Sequence, residues 1–95
     1  MRAILHVDIV TLGRVLLAID GDKRKGFCDH IFDQAHAADK YRKKFGKAHA
    51  RLGAGCLASA CSGLPRKAEP FLSDLEYASC LRLVLDRILQ RKCVR

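Results

Sequence analysis

The sequence predicts an all-α fold, a small bundle of three main helices plus one short helix, and three observations carry that prediction. Apolar residues recur at three- and four-residue intervals in three separate segments, around Ile9–Ile19, Phe27–Phe45 and Tyr77–Leu89. Stop and start signals stand where such helices need them: Gly46 after the second, and Ser73 with Glu76 before the last. No internal repeat and no low-complexity tract interrupts the pattern, and 95 residues suffice for one helical domain over 1–95 but leave a second with nothing to bury.

The first helix is expected over about Ile9–Ile19. Asp8 can accept from the free amides of its first turn, and Val7 and Leu12 occupy hydrophobic-staple positions. Gly13 weakens it, and its β-branched residues also suit a strand, but Ile9, Leu12, Val15, Leu16 and Ile19 follow the helical spacing. The polar run from Asp20 to Lys25 reads as a turn. Phe27, Ile31, Ala35, Ala38 and Phe45 then line one side of a long second helix, with Asp29, Asp33, His36, Lys40, Lys43 and Lys44 on a solvated opposite side. Acids lead and bases follow along that side, the order that complements the helix dipole.

Gly53 and Gly55 precede a short small-residue helix over Cys56–Cys61, broken by Ser62-Gly63-Leu64-Pro65. The last helix begins at Ser73, whose capping box with Glu76 is flanked by Leu72 and Tyr77 as a staple, and runs to about Arg91. Tyr77, Leu81, Val84, Leu85, Ile88 and Leu89 form its apolar stripe. Leu83 falls outside the stripe and hints at a dimer or partner surface.

With 49% apolar residues, 29% charged and no Trp, the chain is globular with an aliphatic core. Its net charge of +8 attracts polyanions, acidic proteins or anionic surfaces. Asp8 and Arg14 interrupt the apolar N-terminal stretch, so neither a signal peptide nor a membrane span is expected, and a cytoplasmic location follows. The five cysteines include no CxxC pair, and read as free thiols in a reducing compartment.

The run AHAADKYRKKFGKAHARLGAGCLASA, followed at a distance by AEPFLSDLEYASCLRLVL, resembles small uncharacterised proteins of photosynthetic and marine alphaproteobacteria over nearly the whole chain. In that group a Pro follows the corresponding His and a Trp precedes the first Gly. This chain has Ala50 and Leu52 there, so a role of those two residues does not carry over. The resemblance implies a bacterial cytoplasmic protein and supplies no activity.

The stretch from Gly26 to Gly55 gathers charge, aromatics, histidines and glycines. Lys40, Lys44, Lys47 and Arg51 recur at helical spacing, with Lys43 and Arg42 beside them and Tyr41 and Phe45 interleaved. Such a face can lie along a phosphate backbone while an aromatic stacks on a base. Equally, Tyr41 and Phe45 can pack inward while the lysines only keep the domain soluble. Counting about 100° per residue, Arg42 projects near Ala35 and Ala38, so it needs a carboxylate (Asp8, Asp39 or Glu69) or a bound anion.

Gly53-Ala54-Gly55-Cys56-Leu57-Ala58 has GxGxxA spacing but lacks the preceding strand of a dinucleotide site. His30 and His36, six apart, diverge on a helix; Asp29, Asp33 and His36 share a side, yet two acids and a histidine are also ordinary surface, and no metal or other cofactor is expected. Cys28-Asp29-His30 places adjacent residues on diverging directions, and no nucleophile-base pattern occurs, so no enzyme and no small-molecule substrate are expected. Two function classes follow: nucleic-acid binding through Lys40–Arg51, or a protein adaptor, with homodimer formation included, that uses the last helix.

Overall fold

In the computed structural model, which describes residues 3–50 and 53–93 without the side chains of Lys92 and Cys93, the order is α1 (His6–Leu17), a 3-10 turn (Gly21–Lys23), α2 (Arg24–Phe45), α3 (Leu57–Ala60) and α4 (Leu75–Cys93). The fold is all-α, a small bundle of three main helices and one short one, as the periodicity predicts. Among the described residues the only β pairing is an isolated antiparallel bridge between His49 and Gly53.

One buried cluster joins all four helices: Leu12, Val15 and Leu16 from α1, Cys28, Ile31, Phe32 and Ala35 from α2, Leu57 from α3, and Tyr77, Cys80 and Val84 from α4. The most extensive pairing is between α1 and α4, and Gly13 permits it. A methyl at position 13 would stand 2.6 Å from Leu81 Cδ2, so the glycine that weakens α1 locally lets α4 approach its backbone.

Several local expectations shift. Helix α1 starts at His6 rather than Ile9, because Asp8 caps from inside: its carboxylate accepts from the Leu5 amide at 2.8 Å while its other oxygen accepts from the Ala58 amide at 3.0 Å in the first turn of α3. One buried side chain, 2% exposed, therefore satisfies the starts of two helices. Val7 is exposed, so it forms no staple with Leu12.

At α4 the cap is Asp74, whose Oδ1 accepts from the Tyr77 amide at 2.9 Å; Ser73 lies one residue too early and Leu72 is exposed rather than stapled to Tyr77. Glu76 is engaged elsewhere, 2.6 Å from Arg24 Nη2. Arg24 also donates to the carbonyls of Leu16, Leu17 and Ile19, closing the C-terminus of α1 against the starts of α2 and α4.

The apolar stripe of α4 is rotated from its expected setting. Leu85 and Leu89 are exposed, while Leu83 is half-buried against the core. On the inward edge stand Arg87 and Arg91. Arg87, only 12% exposed in its side chain, holds Nε 3.2 Å from Asp29 Oδ1, an ion pair whose angle falls outside hydrogen-bond geometry. Arg91 donates to Asp33 at 2.8 Å and to the Asp29 carbonyl at 3.3 Å, and lies over the Phe32 ring at 5.0 Å. Asp33 stays in solvent as expected, 73% exposed in its side chain, and Asp29 is partly exposed at 41%, while both also pair with α4, the arginine stems supplying apolar cover in place of leucines.

Candidate nucleic-acid interface

Helix α2 outruns the core. Its last buried residues are Ala38 and Asp39, yet it continues for six more residues to Phe45, about 9 Å of helix with nothing buried in it. A helix end without core contacts owes its persistence to capping and to interactions along its own surface. Gly46 supplies the cap in the left-handed region at φ 73°, its amide donating to the Arg42 carbonyl at 2.8 Å.

The chain then doubles back. His49 and Gly53 exchange backbone hydrogen bonds of 3.2 and 3.1 Å, and Gly55, at φ 97°, seats the returning strand of chain on α2. A methyl on Gly55 would lie 2.9 Å from the Cα and Cβ of Asp39, so only glycine meets both the backbone angle and the contact. Two amides of this segment are already taken, Ala54 by Ser59 Oγ at 2.8 Å and Ala58 by Asp8. The GxGxxA spacing therefore serves chain reversal and helix capping.

The aromatics on the protruding end are not packed inward. Phe45 is 54% exposed, and Tyr41 and His49 are half-buried. The Tyr41 and Phe45 rings stand 4.5 Å apart at 42°, and His49 meets Tyr41 edge-on at 4.6 Å. Tyr41 and His49 thus back Phe45 with a small ring cluster, a geometry in which aromatic pairs attract one another beyond the area they bury. The Lys44 ammonium lies 5.4 Å from the Phe45 centroid.

The candidate cations divide into two kinds. Lys40, Lys44 and Lys47 are exposed on this end. Lys43 is also exposed but reaches Asp39 Oδ2 at 3.2 Å. Arg42 is half-buried, 3.5 Å from Asp39 Oδ1, with its Nε enclosed and without a hydrogen bond among the described residues. Asp39 is thus the carboxylate that Arg42 faces among the three candidates, and Arg42 belongs to the base of the ridge. Arg51 lies outside the described residues. In sequence no Asp or Glu stands between Asp39 and Glu69, and four of the chain's eight lysines fall within Lys40–Lys47, so local acids other than Asp39 do not offset this charge.

The other candidates separate. Asp29 and Asp33 are held by Arg87 and Arg91, and no group of three His, Cys, Asp or Glu with metal-site geometry occurs among the described residues. Cys28 and Cys61 are buried free thiols, pushed by burial up to about 12 and about 11. Missed from sequence is an exposed apolar knuckle, Phe71, Leu72 and Leu75, before and at the start of α4; Phe71 is 87% and Leu75 83% exposed. Its signal was the mismatch of a staple motif with a cap at Asp74 rather than Ser73. Among the described residues no helix is long and apolar enough to cross a membrane.

Residues 2–88 match the family described as Domain of unknown function (DUF7742). Neither the curated proteins nor the solved structures contain a match.

Proposed function

The chain belongs to the DUF7742 family, whose description names no activity, and we propose from its own surface that it is a small binding protein that takes up nucleic acid through the end of α2. The observation behind this reading is the extension of α2 past its last core residue by six residues, four of them cations and the last the exposed Phe45. A basic helix end that only complemented the dipole would need neither the extra length nor Phe45 in solvent. Lys40, Lys44 and Lys47 contact phosphates, Lys43 adds to them from the flank, and Arg42 holds the helix end through Asp39. Arg51 extends the same basic segment in sequence. The setting is a bacterial cytoplasm, as the resemblance to small alphaproteobacterial proteins implies.

Phosphate contacts release condensed counterions, so affinity must fall with salt. The test is fluorescence anisotropy with labelled oligonucleotides across a salt series, for the wild type and for Lys40, Lys43, Lys44 and Lys47 all changed to Ala. Binding at low salt that weakens steeply toward physiological salt, and a shallower dependence in the variant, is expected. No binding of any nucleic acid at low salt removes the reading.

A second reading rests on a separate observation, the exposed Phe71, Leu72 and Leu75 together with Leu85 and Leu89 on α4. A protein adaptor or homodimer would cover these residues. Sedimentation velocity separates the possibilities: a monomer across the micromolar range excludes self-association through this face.

A further inference from the structure

We infer that the nucleic acid taken up at the end of α2 is an unpaired strand, with a base stacked on Phe45; this rests on the phosphate-binding reading above. A duplex offers its phosphates but keeps its base faces inside the stack, so an exposed ring beside lysines gains nothing from it. An unpaired strand offers both. Base-aromatic stacking is tolerant of sequence because every base has a π-face.

Three features equip Phe45 for this. The residue is more than half exposed, although the Tyr41 ring centroid stands 4.5 Å from its own and His49 meets Tyr41 edge-on. That backing restricts the ring before any ligand arrives, which lowers the ordering cost of stacking. The Lys44 ammonium lies 5.4 Å from the ring centroid, beside the place where the phosphate of a base stacked on Phe45 would pass. Finally, the helix ends here with its C-terminus, whose dipole repels anions on the axis. Phosphates must then be met by side chains off the axis, and Lys40, Lys44 and Lys47 are exposed there. A strand passing across the helix end satisfies that arrangement.

The experiment compares labelled oligo-dT and oligo-U of about twelve nucleotides, a duplex of equal length and inorganic polyphosphate at one low salt concentration. Phe45→Ala should weaken binding to both single strands about tenfold while changing duplex and polyphosphate binding little. Phe71→Ala, at an exposed phenylalanine outside the ridge, should change none of them. Because the chain has no Trp, Phe45→Trp places a single tryptophan at the ridge; its emission, excited selectively over the two tyrosines, should be quenched by single strands and not by polyphosphate. Duplex bound as tightly as single strands, with Phe45→Ala indifferent and Phe45→Trp unquenched, overturns the inference and leaves phosphate binding standing. Failure of all probes to bind overturns both.

Discussion

The two halves of α2 carry similar densities of charge and use them in opposite ways. In the first half, Asp29 and Asp33 meet Arg87 and Arg91 of α4, and the charges close a helix contact. In the second, and just past its Gly46 cap, Lys40, Lys44 and Lys47 stand in solvent, while Asp39 pairs with Arg42 and Lys43. The same division runs through residue types. Arg14, Arg24, Arg66 and Arg91 hydrogen-bond backbone carbonyls or acids and Arg87 ion-pairs Asp29, whereas four lysines crowd the protruding end. A planar guanidinium can satisfy several acceptors at once and tolerates partial burial; an ammonium on a flexible stem is easier to leave in water. Net charge alone would not separate structural cations from those free to meet a ligand.

The sharpest way to break this comparison is to remove the lysines. Changing Lys40, Lys43, Lys44 and Lys47 to Ala should weaken nucleic-acid binding by about a hundredfold at low salt, and reduce the slope of log affinity against log salt by roughly 3, since each single-strand phosphate contact contributes about 0.7. Thermal melting should scarcely change, because none of the four is buried. A large drop in melting temperature would place these lysines with the structural charges instead.

Next in size is Gly55→Ala, which asks whether the second half of α2 depends on the returning loop. The positive φ and the 2.9 Å approach to Asp39 together should cost about 2–3 kcal/mol in urea denaturation. Gly13→Ala, whose obstacle is the movable end of Leu81, should cost less. Equal losses would mean that the loop yields where the contact demands rigidity.

Arg87→Ala probes the first half. It removes a mostly buried stem and the partner of a partly exposed acid, for an expected loss of about 1–2 kcal/mol with an unchanged salt slope of binding. A change in slope would show that the interlocked charges also meet the ligand.

A further effect is confined to alkaline pH. Burial raises the Cys28 and Cys61 thiols from 9.0 to about 12 and about 11, so the folded state retains protons that the unfolded chain loses. Their contribution to stability is fully present below pH 9 and disappears as pH rises through 11 and 12. Urea midpoints should therefore decline above pH 9, and less so in a Cys28→Ala variant compared with its own value at pH 8. At neutral pH, alkylation should reach half-buried Cys56 before Cys28, Cys61 or Cys80.

Helix number and the end of α2 at Gly46 were legible because they rest on local chemistry: period, breakers and the need for φ > 0. The face that α4 buries was not. Leu81, Val84, Leu85, Ile88 and Leu89 span too broad an arc to fix its rotation, and the choice was made by Arg87 and Arg91 finding acids on another helix. Asp8 is similar. A cap for α1 could be read from its position, but its bond to Ala58 depends on a segment 50 residues away. At the candidate interface Lys40 and Lys44 keep the helical row read from sequence, but Lys47 falls beyond the Gly46 cap, outside α2, and Arg51 lies outside the described residues; the exposure of Phe45 depended on where the core stopped, which no local spacing records.

The most direct measurement is amide chemical-shift mapping of the labelled protein titrated with a short unpaired oligonucleotide. Shifts concentrated at Lys40–His49, with the Asp29–Arg87 and Asp33–Arg91 pairs quiet, are the predicted result. Shifts confined to Phe71–Leu75 and the exposed edge of α4, or none anywhere at low salt, would contradict the assignment of this ridge as the binding surface.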